Sequence, residues 1–336
     1  MKKQILAIAI AAGLAATPLM AQAADTKVYA RAHVSLDSIE VGAADAELDL
    51  NDRKSAFGIK GSEDLGGGLT VFAKMEWSVN PTDVGSAIGV RDRYIGLKKA
   101  GMGTFKFGTM SNNWKQTSAK MDPFWHTAVE MRATNASSTL SNSGGDDGGR
   151  MSNLFQFSMA PMGGIGFVVN AQLNGTGEMT TGFGIRYKAK GLYVFADTLK
   201  IENDVTTAGT PPTAGADGLS DHRGFAAGES ATKFGAKYKM GALTAGITLE
   251  QSEDVTGFDY TNLMATYKVN ANDTVAFTYG MAEHATSTAN DKDTLAVGYI
   301  HGMSKRTSVY AAYGDGSSDT VANEHNGLSF GLKHSF

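Results

Sequence analysis

Apolar and polar residues alternate with a period of two along most of this chain, in segments of about ten residues. In 27–37, Val28, Ala30, Ala32, Val34 and Leu36 share one parity, and Lys27, Arg31, His33, Ser35 and Asp37 the other. In 150–159, Met151, Phe155, Phe157 and Met159 oppose Arg150, Ser152, Gln156 and Ser158. Such alternation predicts strands with two chemically different faces. Sixteen segments can be traced, near 27–39, 53–63, 69–79, 90–99, 103–111, 149–159, 164–174, 180–189, 191–201, 230–239, 242–252, 257–269, 273–283, 291–302, 306–314 and 326–336. Short turn sequences such as Leu65-Gly66-Gly67-Gly68, Gly101-Met102-Gly103 and Lys190-Gly191 alternate with longer polar connections, notably 112–148, 202–229 and 314–325.

Alternation alone does not say which face points inward, and a soluble β-sandwich would also alternate. The N-terminus bears on this choice. Lys2 and Lys3, an apolar run over 5–16 and Ala21-Gln22-Ala23 have the layout of a secretion signal. Its apolar run is short of the roughly 20 residues a helix needs to cross a bilayer. We therefore expect 1–23 to be removed and 24–336 to form one domain. Nothing later approaches about 18 consecutive apolar residues, so helical spans are excluded. In hydrocarbon an unpaired backbone N–H or C=O is costly, which leaves a sheet without edges as the spanning structure. Short turns on one rim, long loops on the other and a terminal Phe336 complete the pattern. The expected fold is all-β: a transmembrane antiparallel up-and-down β-barrel of 16 strands in a Gram-negative outer membrane.

Composition narrows the chemistry. Taking Lys2 and Lys3 away leaves 28 basic and 34 acidic side chains, so the formal charge moves from −4 to −6. Mild acidity argues against a nucleic-acid partner. With no cysteine there is neither a disulfide framework nor a thiolate site. The seven histidines show no ligand spacing, and no Gly-x-Ser-x-Gly motif occurs. The chain is expected to be neither an enzyme nor a metal or cofactor carrier.

Lys27-Val28-Tyr29-Ala30-Arg31-Ala32-His33-Val34-Ser35-Leu36 resembles the first strand of the general porins of the Gram-negative outer membrane. Phe57-Gly58-Ile59-Lys60-Gly61-Ser62-Glu63-Asp64-Leu65-Gly66 is similar to their second strand and turn. Arg91-Asp92-Arg93-Tyr94-Ile95-Gly96-Leu97, Gly103-Thr104-Phe105-Lys106-Phe107-Gly108 and Arg150-Met151-Ser152-Asn153-Leu154-Phe155 resemble later strands in the same order. The resemblance runs over the whole mature chain. It implies a homotrimer in lipid and lipopolysaccharide, built by the outer-membrane insertion machinery, that passes ions and small hydrophilic solutes by passive diffusion.

It also implies a constriction. The third loop of the family folds into the lumen and sets acidic residues against basic ones on the wall. Here 112–148 spans 37 residues and carries Asp122, Glu130, Asp146 and Asp147, with Asp122-Pro123-Phe124-Trp125 as its most distinctive run. Arg31, Arg91 and Arg150 match family pore positions, and Arg93 shares the parity of Arg91. The expected site is thus Arg31, Arg91, Arg93 and Arg150 facing Asp122 and Glu130, giving weak ion selectivity. Ala56 and Thr109 stand where the family often has arginines, which weakens the positive wall. Together with the acidic total this suggests a slight cation preference, although lining residues decide it. The alternatives are an anion- or solute-selective porin on the same barrel, and a structural or adhesive barrel. Tyr29, Tyr94, Trp77, Phe155 and Phe336 are expected in aromatic girdles at the membrane interfaces.

The terminal aromatic is the feature that the family's insertion machinery reads. Deleting Phe336 should lower the yield of assembled trimer while leaving the conductance of the surviving channels unchanged, as measured by gel mobility and bilayer recording.

Overall fold

The computed structural model describes residues 25–85, 88–134, 136–141, 149–173, 179–201, 228–319 and 324–336. The expected leader, most of 202–229 and the loop end with Asp146 and Asp147 lie outside the described residues. The strands are β1 (Asp25–Val41), β2 (Glu47–Asp52), β3 (Ala56–Gly66), β4 (Leu69–Ser78), β5 (Gly89–Lys99), β6 (Gly103–Ser111), β7 (Arg150–Met159), β8 (Ile165–Gln172), β9 (Thr181–Ala189) and β10 (Leu192–Lys200). They continue as β11 (Ser230–Met240), β12 (Leu243–Gln251), β13 (Phe258–Lys268), β14 (Asp273–His284), β15 (Lys292–Gly302), β16 (Thr307–Ser318) and β17 (His325–Ser335). Helix α1 (Asn113–Met121) opens the long loop after β6.

Every ladder is antiparallel, and from β3 onward each strand pairs with the next in sequence. The sheet closes where β1 meets β17, from Arg31↔Ser335 to Val41↔His325. Both β2 and β3 pair with β1, β2 over Val34↔Asp52 to Ile39↔Glu47 and β3 over Asp25↔Ser62 to Arg31↔Ala56. They are successive halves of one stave, so seventeen ladder segments make sixteen staves. Across the gap at 53–55 the Arg53 amide still donates to the His33 carbonyl at 2.8 Å, and side chains supply the rest. Ser55 Oγ accepts from the His33 amide at 2.9 Å, and Asp52 accepts from the amides of Lys54 and Ser55 at 3.1 and 2.9 Å. Lys54 takes a left-handed φ of 69° there. The gap also turns Arg53 onto Asp37, which accepts from Ser35, Asn51 and Ser329 as well. That buried carboxylate ties β1, the neighbouring stave and β17 together at the seam.

The apolar parity faces outward. Val28 is 75% exposed and Phe330 53%, whereas Asp37 and Ser329 on the opposite parity are 1% and 0% exposed. A soluble sandwich would reverse this, so the outer face is a lipid-facing belt. Tyr187, Tyr238, Tyr267 and Tyr299 lie on that face near the short-turn rim, where a girdle belongs. Tyr29 and Tyr94 do not join it. The Tyr29 hydroxyl donates to Glu76 at 2.8 Å and the Tyr94 ring sits under Lys106, both inside the lumen.

Two bulges correct the simple parity reading. The β4–β5 register shifts between Met75 and Trp77, so Arg91 and Asp92 both turn inward. Arg93 then falls on the outer parity, exposed and opposite Met75. It does not share the face of Arg91, because a bulge inserts one residue and inverts alternation beyond it. A shift between Gly108 and Met110 does the same in β7, where Asn153 has φ 51°. Met151 is consequently buried against Trp114, Met110 and Leu154 instead of facing lipid.

The long loop lies against a lane of small residues on the inner wall. Phe124 and Val129 pack on Ala276, Ala296 and Ala312. A Cβ at Gly298 would come within 2.6 Å of the Phe124 ring, one at Gly314 within 2.9 Å of Val129, and one at Gly280 within 2.4 Å of Ala136. Helix α1 uses the same device further round, at Gly182 against Asn113 and Gly246 against Met121. The glycine content therefore serves close approach of two chains as well as turns.

Gly298→Leu should lift the loop off the wall at a cost of about 1–3 kcal/mol of local packing. The expected readouts are a larger and noisier single-channel conductance and faster proteolysis of the loop, with the barrel's β-sheet circular dichroism intact.

Candidate constriction site

Helix α1 fixes the root of the loop. Asn112 caps it by accepting from the Lys115 amide at 3.0 Å. Its inner face is bolted to the wall through Asp197, which accepts from Asn113 at 2.8 Å, Thr117 at 2.5 Å and Arg186 at 2.6 Å. Lys233, fully buried, donates to the Trp114 carbonyl at 2.9 Å and to Ser118 Oγ at 2.6 Å, with its ammonium 4.3 Å from the Trp114 ring centroid. Every charge in this anchor is partnered, as burial demands.

The predicted loop acids turn into the loop itself. Asp122 accepts from the amides of Phe124 and Met131, each at 2.8 Å, the first an Asx turn that an Asp-Pro-Phe run favours. Burial, reinforced by the charge of Glu130, pushes its carboxyl up to about 7 against those two hydrogen bonds. Glu130 accepts from Arg132 Nε at 2.8 Å and from the His126 amide at 2.7 Å. Neither carboxylate is left to face the wall arginines across open water.

Within 121–134 only Pro123, Trp125 and His126 keep appreciable solvent exposure. The Arg132 guanidinium lies 4.1 Å from the Trp125 ring centroid and the Lys115 ammonium 5.6 Å from it. Lys115 also donates to the Ser141 carbonyl at 2.6 Å, and burial drives its pKa well down. His126 sits at a φ of 72°, held by the hydrogen bond its backbone amide donates to the Glu130 carboxylate. Burial, then the charges of Arg31, Arg132 and Arg91, hold its imidazole far below the usual range and therefore neutral.

On the opposite wall Arg91 meets Glu76 at 2.5 Å and Arg150 meets Asp92 at 2.9 Å. Lys74 bridges both acids at 3.0 Å. Arg31 donates to the Lys54 carbonyl and has no carboxylate within ion-pair distance among the described residues, nor does Lys54. The acids that act on them from further off, Glu76 and Asp52 on Arg31 and Glu130 and Asp52 on Lys54, are already engaged, Asp52 on backbone amides. Three carboxylates (Glu76, Asp92 and Glu130) are thus shared among Lys74, Arg91, Arg132 and Arg150, while Arg31 and Lys54 have none. The result is a basic opening with an aromatic tip.

The structure brings Arg31, Arg91 and Arg150 to the lumen beside the loop, puts Arg93 outside, and folds Asp122 and Glu130 into loop scaffolding. Sequence reasoning missed Lys54, Lys74, Glu76, Asp92 and Arg132. Lys74 and Glu76 share the polar parity of β4 and were open to discovery; Asp92 was hidden by the bulge.

A family model described as Gram-negative porin matches residues 7–321. The chain belongs to the Gram-negative porin family. A Neisseria gonorrhoeae major outer membrane protein P.IB is 28% identical over 125 residues, a match that spans 36% of each chain. Among solved structures the porin resembles an anion-selective porin from Comamonas acidovorans, with a TM-score of 0.74 at 17% identity over 94% of this chain and 100% of that one. It also resembles OmpT of Vibrio cholerae in trimer form, with a TM-score of 0.68 at 16% identity over 94% and 100% of the two chains. OmpF of Salmonella typhi gives 0.69 at 14% identity over 93% and 97%. At these identities the likeness establishes the fold, that of an outer-membrane β-barrel.

The raised carboxyl of Asp122 makes the porin's loop pH-sensitive. Its folded pKa, about 7, lies above the ordinary aspartate value of 3.8, so the folded loop binds the extra proton and loses stability as pH climbs between these values. Limited trypsinolysis after Lys120 should be slow at pH 5 and faster at pH 8, and Asp122→Asn should flatten that dependence.

Proposed function

We propose that this porin is a water-filled channel for passive diffusion of small hydrophilic solutes, and that its constriction prefers anions. The observation that carries this is the surplus of cations beside the loop: the carboxylates there are engaged, and Arg31 and Lys54 have none within ion-pair distance among the described residues. Fixed charges in a narrow low-dielectric opening concentrate the opposite ion. The formal −4 of the whole sequence, or −6 without the leader, says little about permeation when the unpaired basic groups line the path.

Assembly as a homotrimer in lipid and lipopolysaccharide fits the same reading. One support is Arg93, exposed on the outer face between Met75 and Thr109 of the neighbouring strands. A guanidinium against hydrocarbon at mid-depth costs roughly 2–4 kcal/mol, so a neighbouring subunit or the headgroup zone is its natural cover. The trimer form of the OmpT neighbour is a second support.

The test is the zero-current potential across a KCl gradient in a planar bilayer. Chloride should be more permeant than potassium, and Arg31→Ala should reduce the chloride-to-potassium ratio about twofold to fivefold, the weight of one unit charge a few ångströms from the path in water. A potassium-preferring wild-type channel would refute the reading.

A further inference from the structure

We infer that the loop tip is a subsite for small aromatic carboxylates, bound with the carboxylate toward Arg31 and Arg91 and the ring against Trp125 and His126. The inference rests on the anion-preferring reading and adds the class of solute. Among residues 121–134 the exposed surface is Pro123, Trp125 and His126, so a solute passing the tip touches two rings and a proline. The rings lie 5.5 Å apart between centroids and tilt by 32°, forming a shallow aromatic corner.

The corner is built and held. His126 occupies a left-handed φ of 72° that a non-glycine residue adopts at a cost, and the Glu130 carboxylate secures its amide at 2.7 Å. Arg132 underlies Trp125 at 4.1 Å and is itself clamped by Glu130 at 2.8 Å. His126 has no side-chain hydrogen bond among the described residues, so its ring nitrogens are available to a solute. Its electrostatic neighbours are Arg31, Arg132, Arg91 and Lys115, cations on both the wall and the loop.

The same details argue against a site made for phosphate or sulfate. Such anions are cradled by converging backbone amides. Here the amides of Phe124 and Met131 are taken by Asp122, that of His126 by Glu130, and that of Thr127 by the Phe124 carbonyl. What remains for a solute is guanidinium charge beside flat apolar surface. Planar carboxylates use both; inorganic anions use only the first.

The experiment compares benzoate with cyclohexanecarboxylate, equal in charge and close in bulk but without a π face, and with acetate, each added to one side of a bilayer containing the full-length channel in KCl. Benzoate should reduce the KCl current with a half-effective concentration about three- to tenfold below that of cyclohexanecarboxylate, with acetate weakest. Trp125→Leu should bring the two cyclic acids together, and Trp125→Phe should restore their separation. Equal half-effective concentrations in the wild type, or a separation that survives Trp125→Leu, would overturn the inference while chloride preference in the KCl gradient stood. A potassium-preferring wild type would instead remove the reading beneath it.

Discussion

The barrel answers to one constraint: a backbone amide or carbonyl in hydrocarbon must find a protein partner. Closure of β1 on β17 over eleven residue pairs removes the last open edge. A lapse in the ladder at 53–55 shows the strength of the constraint. Beside the one main-chain bond from Arg53 to His33, Ser55 and Asp52 supply the remaining partners from their side chains. That repair in turn releases Arg53 to the seam and leaves the Lys54 carbonyl for Arg31 to grip. A local lapse in pairing thereby supplies part of the pore's charge.

Inside the barrel the governing problem is reversed, because there the loop must be dry on one side and wet on the other. The lane of glycine and alanine on the wall lets Phe124 and Val129 bury fully without distorting the staves. Burial then dictates where the loop's acids point. Asp122 and Glu130 lie in tight backbone turns with several inward N–H groups, and using carboxylates to satisfy those amides leaves none for the channel. The basic character of the opening is therefore a by-product of loop folding as much as of wall composition.

Much of this was legible in the residues. Period-two alternation located all sixteen staves, and the outward parity of Val28 to Leu36 and of Leu328 to Leu332 was readable because those stretches are unbroken. Failures cluster where one residue is inserted. Arg93 and Met151 sit just past bulges, and a bulge of non-glycine residues leaves little trace in hydropathy. Tyr29 and Tyr94 were misplaced for another reason: aromaticity suggested a girdle, although both carry the lumenal parity of their strands below the bulge and their polar ends reach lumenal partners. The inward turn of Asp122 was foreshadowed by the Asp-Pro-Phe run, but the turn of Glu130 depends on His126 adopting a left-handed backbone, which no local pattern announces.

The small-residue lane has a further consequence. Since the loop is seated by fit and by side-chain bolts, and contributes no strand to the ladder, the cylinder and its filter are two separable parts with different tolerances. The cylinder admits few changes, because each alters pairing or lipid contact around a closed ring. The filter can be exchanged, recharged or reshaped so long as its footprint on the lane is kept, which gives one invariant shell room for many permeation profiles.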